Sequence, residues 1–138
     1  MYKRQIFLES LLIHLQPLVE KTVSKNLYPS YSYGRIYYNK SVLEKHKDRP
    51  PSEYGVSLCI SKEIDWTIYF EQNGKATPYN LDEGDMVVYK GMEYNHWRES
   101  YQGNKHTQVF LMYVDVDGEY SDWKWDKREG LAHKRVMP

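Results

Sequence analysis

Cysteine is almost missing from this chain. Cys59 stands alone, which excludes an internal disulfide and fits a reducing compartment. Its place inside the apolar run "VSLCI" reads as a small buried hydrophobe, not a nucleophile. Long hydrophobic runs are missing too. The opening "MYKRQIFLESLLIHLQPLVE" starts basic, but Glu9, His14 and Gln16 interrupt its apolar stretch. Neither a signal peptide nor the roughly 18 unbroken apolar residues of a membrane span is therefore expected, and the chain reads as cytoplasmic. An excess of either charge is absent: nineteen basic residues face nineteen acidic ones. No global field draws the protein to nucleic acid or to a membrane surface. The 138 residues suffice for one real core and not for two, so a single domain is expected.

Aromatic residues are plentiful, with fourteen tyrosines and four tryptophans. Both types suit strands and half-buried surfaces. Only the N-terminus has helical periodicity: Leu8, Leu11, Leu12, Leu15 and Val19 form one stripe, and Pro17 should kink that helix or open a second short one. After Pro29 the pattern changes to period two. Strands are expected over 31–39, 54–61, 66–71, 85–91 and 107–115. "QNGK" at 72–75 is a hairpin signal and "DEGD" at 82–85 a turn. Short strands at regular spacing behind one helix predict a mainly β fold, a sandwich or jelly roll. The expected layout is a helical region over 1–28, a jelly-roll core over 29–118 and a C-terminal extension over 119–138. In that extension Trp123 and Trp125 should dock on the sheet, with the final residues loose.

Chemistry enters at "LEKHKDRPP". In an extended segment residues i and i+2 share a face, so His46 and Asp48 point together and Lys47 points away. One imidazole and one carboxylate are two of the three ligands in a 2-His-1-carboxylate facial triad, which suits non-haem Fe(II). The pair alone is weak, because chance supplies about 0.3 such pairs in a chain of this composition. A third ligand must come from far along the chain. His14 falls on the helix and His133 in the tail, leaving His96 and His106. His96 follows "LDEGDMVVYKGMEYN", a turn, a strand and a second glycine, which would present it at the far end of a jelly-roll strand.

These segments resemble the Fe(II)/2-oxoglutarate-dependent oxygenases, and among them the small prolyl-4-hydroxylase-like members. The resemblance runs from Tyr31 to Gly118. It is carried by "HKD" at 46–48, "EYGVSLCI", "LDEGDMVVYKGMEYNHWRE" with His96, and "QVFLMYVDVDG". It implies a double-stranded β-helix holding Fe(II) through His46, Asp48 and His96. It further implies 2-oxoglutarate as cosubstrate with O2, ascorbate as an aid to turnover, and oxidation of a C–H bond coupled to release of succinate and CO2. The substrate class it implies is a peptide or protein side chain or a small molecule. The family places a basic residue about nine or ten positions after the distal histidine to hold the far carboxylate of 2-oxoglutarate. Here those positions are Lys105 and His106. Strand parity offers Arg98 instead, on the face of His96, and an arginine can grip a carboxylate bidentately. Tyr37 matches a tyrosine kept near the cosubstrate. Arg49 is read as holding Asp48, reaching substrate or facing solvent, Trp97 as core packing, and "DVDG" at 115–118 as a turn and not a calcium loop. A cupin-type metal protein is the first rival, although cupins carry His-x-His where this chain has His-x-Asp. A jelly-roll binding module without enzymatic activity is the second.

Overall fold

The structure is a computed structural model, and it describes residues 2, 3 and 6–130. The first strand, β1 (Tyr2–Lys3), is followed by helix α1 (Ile6–Val23). Strands β2 (Leu27–Tyr38), β3 (Leu43–His46), β4 (Tyr54–Lys62) and β5 (Ile68–Gln72) come next, then β6 (Lys75–Tyr79), β7 (Met86–Tyr89), β8 (Asn95–Arg98) and β9 (Lys105–Asp115). Short 3-10 turns lie at Pro50–Ser52 and Ser121–Lys127.

All pairing is antiparallel, in two sheets of order β1-β2-β9-β4-β7 and β3-β8-β5-β6. From β2 to β9 successive strands change layer at every step except the β5–β6 hairpin, which is the winding of a double-stranded β-helix. The mainly β jelly roll with an N-terminal helix is therefore the fold of this chain.

Strand β9 shows how the sequence sets up the layers. It is buried along nearly all its length, and its two faces serve different cores. Val109, Leu111 and Tyr113 join Leu8, Leu12 and Val19 of α1. Phe110 and Met112 turn inward and join Tyr37, Trp66 and Tyr101. A strand covered on both faces needs apolar residues at every position, and "VFLMYV" supplies them. Helix α1 thus backs the larger sheet, while the space between the sheets is lined by aromatic and polar side chains.

The helix runs without a break through Pro17, so a second short helix does not form. The hairpin signal gives β5 and β6, with Asn73 (φ 52°) and Gly74 (φ 76°) both in the left-handed region that a tight hairpin turn requires. The "DEGD" turn closes by the Asp85 N–H donating to the Asp82 carbonyl at 2.9 Å. Cys59 is buried and free, and His14 is exposed on α1. His133 and the tail expected to be loose lie outside the described residues. Ser121–Lys127 packs against β2 and β9, but neither of its tryptophans enters a core cluster.

Candidate metal centre

Strands β3 and β8 place His46 directly opposite His96. Leu43 pairs with Arg98, so one extra residue is accommodated between Leu43 and His46. That bulge lets residues three apart in sequence, Leu43 and His46, both oppose the same face of β8. The rings of His46 and His96 lie 4.3 Å apart between centroids, at 54°. Strand β3 ends at His46, so Asp48 is not brought in by strand alternation. Its backbone N–H donates to the Gly91 carbonyl at 2.8 Å, and the Gly91 N–H donates to the Glu53 carbonyl at 3.1 Å. Gly91 can approach this closely only without a side chain: a Cβ there would lie 2.5 Å from the Ser52 carbonyl oxygen and press on the Asp48 carboxylate.

The three side chains converge on one point. Asp48 Oδ1 lies 3.3 Å from His46 Nε2 and 3.4 Å from His96 Nε2. One ligand atom from each residue falls within 4.8 Å of the others, a spacing that would hold a metal ion. Each Nδ1 is tied to the carbonyl two residues earlier, His46 to Glu44 at 2.6 Å and His96 to Tyr94 at 3.0 Å. A carbonyl can only accept, so each Nδ1 carries the proton. This is the tautomer that leaves Nε2 bare for a metal once the ring is neutral. His96 is further oriented by Tyr89 and Phe70, with centroids at 5.0 and 5.6 Å. Asp48 Oδ1 is the oxygen turned toward the two imidazoles, while Oδ2 is buried against Gly91 with no hydrogen-bond partner. His96 is 3% exposed and the His46 side chain 39%, so the site has an inner wall and an open flank.

The electrostatics agree. Burial alone would push the Asp48 carboxyl up, but hydrogen bonding from His46 and His96 outweighs it and holds the group below its ordinary value. His46 is raised, first by its bond to Asp48, against an opposing effect of burial and with help from the Glu44 carbonyl. Two nitrogens and one carboxylate with fixed tautomers fit a borderline divalent metal that keeps open positions.

Arg98 lies two residues beyond His96 on the same face of β8 and is 2% exposed. Its Nη1 donates to the Trp66 carbonyl, and its guanidinium carbon sits 4.9 Å from the centre of the Trp66 ring. The side-on edge formed by Nε and Nη2 is buried and has no partner. Burial pulls Arg98 down to about 10, which still leaves it charged at neutral pH. His106 is also buried, facing inward from β9, while Lys105 is exposed and contributes backbone bonds. The structure therefore brings Arg98 and His106 to the interior and leaves Lys105 outside it. Tyr37 is buried opposite His106, edge-on to Trp66 at 4.8 Å. Arg49 is exposed. Trp97 differs from the core position expected: it lies on the outer face of its sheet, stacked on Tyr69 at 5.3 Å with the Lys45 ammonium 4.7 Å over its ring.

Several contributors were not singled out from sequence. Gly91 was visible only as the glycine closing "GDMVVYKG". Trp66, Gln108 and Ser57 carried no local signal, because their roles depend on strands far apart in the chain.

No protein-family model and no curated protein sequence matches this chain. Solved structures do. A 2OG-Fe(II) oxygenase-family oxidoreductase from Burkholderia pseudomallei aligns over 77% of this chain and 55% of its own, at 14% identity and a TM-score of 0.67. A prolyl-4-hydroxylase from Pseudomonas putida aligns over 77% and 62%, at 12% identity and a TM-score of 0.60. The non-heme monooxygenase ThoJ, as its nickel complex, aligns over 75% and 50%, at 14% identity and a TM-score of 0.56. At these identities the likeness is one of fold. The chain spans about half to three-fifths of the length of these structures.

Proposed function

We propose that this protein is an Fe(II)- and 2-oxoglutarate-dependent oxygenase, a hydroxylase of prolyl-4-hydroxylase-like type, acting from a single domain in the cytoplasm. The observation that carries this reading is the pairing of two features on one strand. His96 completes a 2-His-1-carboxylate triad with His46 and Asp48, and two residues on, Arg98 presents a buried, charged, unpartnered fork. A metal site in a cupin or a binding module has no need of that fork.

Fe(II), when bound, supplies the O2 chemistry that couples decarboxylation of 2-oxoglutarate to oxidation of a substrate C–H bond. The chain's residues do the rest. His46, Asp48 and His96 would hold the metal, and three protein ligands would leave coordination positions open. The Nε and Nη2 edge of Arg98 receives the far carboxylate in a bidentate grip, while the tie to Trp66 stops the guanidinium from turning away. Trp66, Tyr37 and Phe110 keep water from that end. The exposed flank at His46 leaves room for a peptide or small-molecule substrate.

The test separates the two features. With Fe(II), ascorbate and O2, the wild-type protein is expected to convert 2-oxoglutarate to succinate slowly even without substrate. Asp48→Ala should lose both bound iron and turnover. Arg98→Gln should keep iron but need roughly 30-fold or more 2-oxoglutarate, since breaking a buried charge pair costs about 2 kcal/mol or more. Iron-loaded wild-type protein that leaves 2-oxoglutarate untouched would rule the reading out.

A further inference from the structure

A second unmet polar group packs against Trp66, the ring on which Arg98 also lies. His106 Nδ1 is buried without a hydrogen-bond partner. Its other nitrogen is committed: Nε2 lies 2.8 Å from Gln108 Oε1, and Gln108 Nε2 donates to Ser57 Oγ at 2.8 Å. In this placement of the Gln108 amide Oε1 faces the ring and can only accept, so His106 Nε2 carries the proton. In the neutral ring Nδ1 is then a bare acceptor. It has nothing to accept from, and the same interior holds Arg98, whose Nε and Nη2 have nothing to donate to.

The surroundings keep the ring neutral. Across the sheet His106 pairs with Tyr37 of β2 and with Lys62 of β4. The charge of Arg98 on β8 reaches it, and Trp66 and Tyr101 close around it at 5.3 and 5.7 Å between ring centroids. The nearby Cys59 thiol is raised by burial and so carries no charge. Burial lowers the pKa of His106, and the positive charges of Arg98 and Lys62 add to it, against a raising effect of the Gln108 hydrogen bond that is smaller than that of burial. Lys62 is already occupied by Asp65 and Asp82. What the pocket lacks is an anion.

We infer that His106 is a positioning residue that takes up a proton when the far carboxylate of 2-oxoglutarate enters, so that cosubstrate binding is coupled to pH. The inference rests on the proposed reading of Arg98 as the carboxylate fork. A carboxylate on that fork cancels the positive field and offers Nδ1–H an acceptor, and both effects favour the imidazolium. Neutral Nδ1 would instead set its lone pair against the incoming oxygens. The sign follows from linkage. The ring is neutral in the empty pocket above its lowered pKa and protonated in the filled pocket up to a raised one. Between those limits binding takes up a proton, and affinity falls as pH rises, by up to about tenfold per unit.

The experiment is calorimetric titration of 2-oxoglutarate into Mn(II)-loaded protein, at about pH 7 in buffers of different ionisation heat. The metal ligands are already committed and 2-oxoglutarate is fully ionised, so neither contributes protons. Wild-type protein should show net proton uptake, and its affinity should weaken from about pH 6 to about pH 8. His106→Asn should bind more weakly with no uptake and a flat pH profile. A second measurement needs no variant: in Zn(II)-loaded protein, the ring 15N signal of His106 Nδ1 should change from unprotonated to protonated as 2-oxoglutarate is added. Binding without uptake in the wild type, or uptake undiminished in His106→Asn, overturns the role of His106 and leaves the oxygenase reading standing. Failure of 2-oxoglutarate to bind the metal-loaded wild type overturns that reading and this inference together.

Discussion

At the scale of single residues, Gly91 has the most consequence for the least mass. The Asp48 carboxylate and the Ser52 carbonyl occupy the space a side chain would need, and the Gly91 backbone holds Asp48 and Glu53 from both sides. Gly91→Ala is expected to destabilise the protein by about 1–3 kcal/mol, the usual cost of forcing a methyl into filled space. It should also weaken metal binding, because the group displaced is one of the three that converge on the candidate metal point. Denaturant unfolding and metal titration check the two effects, and normal metal affinity in a destabilised variant would separate Gly91 from the site. Residue-level parity had mixed reach. It placed Arg98 on the face of His96, where it is buried, but parity cannot say which face of a sheet is the core. Trp97 is large and apolar, yet it lies outside with Lys45 and Tyr69.

At the scale of elements, what was legible depended on how each element is buried. Helix α1 and β2 carry their apolar residues in recognisable periods and β4 and β9 in continuous runs, and all four form close to where the sequence predicts. Strand β6 does not: every residue of "KATPY" is exposed, and Pro78 is tolerated because β6 is an edge. Only the Asn73-Gly74 turn implied its existence. Asp48 shows a different limit. The spacing rule assumed an extended chain through Asp48, whereas β3 stops at His46 and a contact with Gly91 completes the approach. Such long-range contacts leave no periodic trace. Helix α1 packs on the face of the larger sheet away from the site, with Leu12 fully buried and its carbonyl accepting from the Tyr113 hydroxyl at 2.6 Å. Leu12→Ala is therefore expected to cost about 2–5 kcal/mol of stability while metal affinity below the melting range stays unchanged. A parallel loss of metal affinity would mean that the two faces of the sheet are coupled.

At the scale of the whole molecule, no described helix is long and apolar enough to cross a membrane. Its response to pH turns on whether metal or protons occupy the His46–Asp48–His96 cluster. His46 is raised by Asp48, and a raised histidine stabilises the folded state fully below its unfolded value near 6.5, an effect lost as pH rises through the folded value. Asp48 is lowered, so its contribution is present above the ordinary carboxylate range and lost as pH falls. The metal-free protein thus gains from the pair in mildly acid solution, whereas metal binding requires the histidines to give up protons. The rise in melting temperature caused by a fixed concentration of Zn(II) or Mn(II) should therefore grow between about pH 5.5 and about pH 7.5. A constant rise across that interval would argue against histidine ligation.

His46 stands on β3, the outermost strand of its sheet, with its flank open to solvent. An ion held there would have a path to solvent past His46 without the barrel having to breathe. Occupancy would then follow the free metal in the surroundings over the lifetime of the protein and would not be set once at folding. A metal site built this way would answer directly to the supply of metal around it.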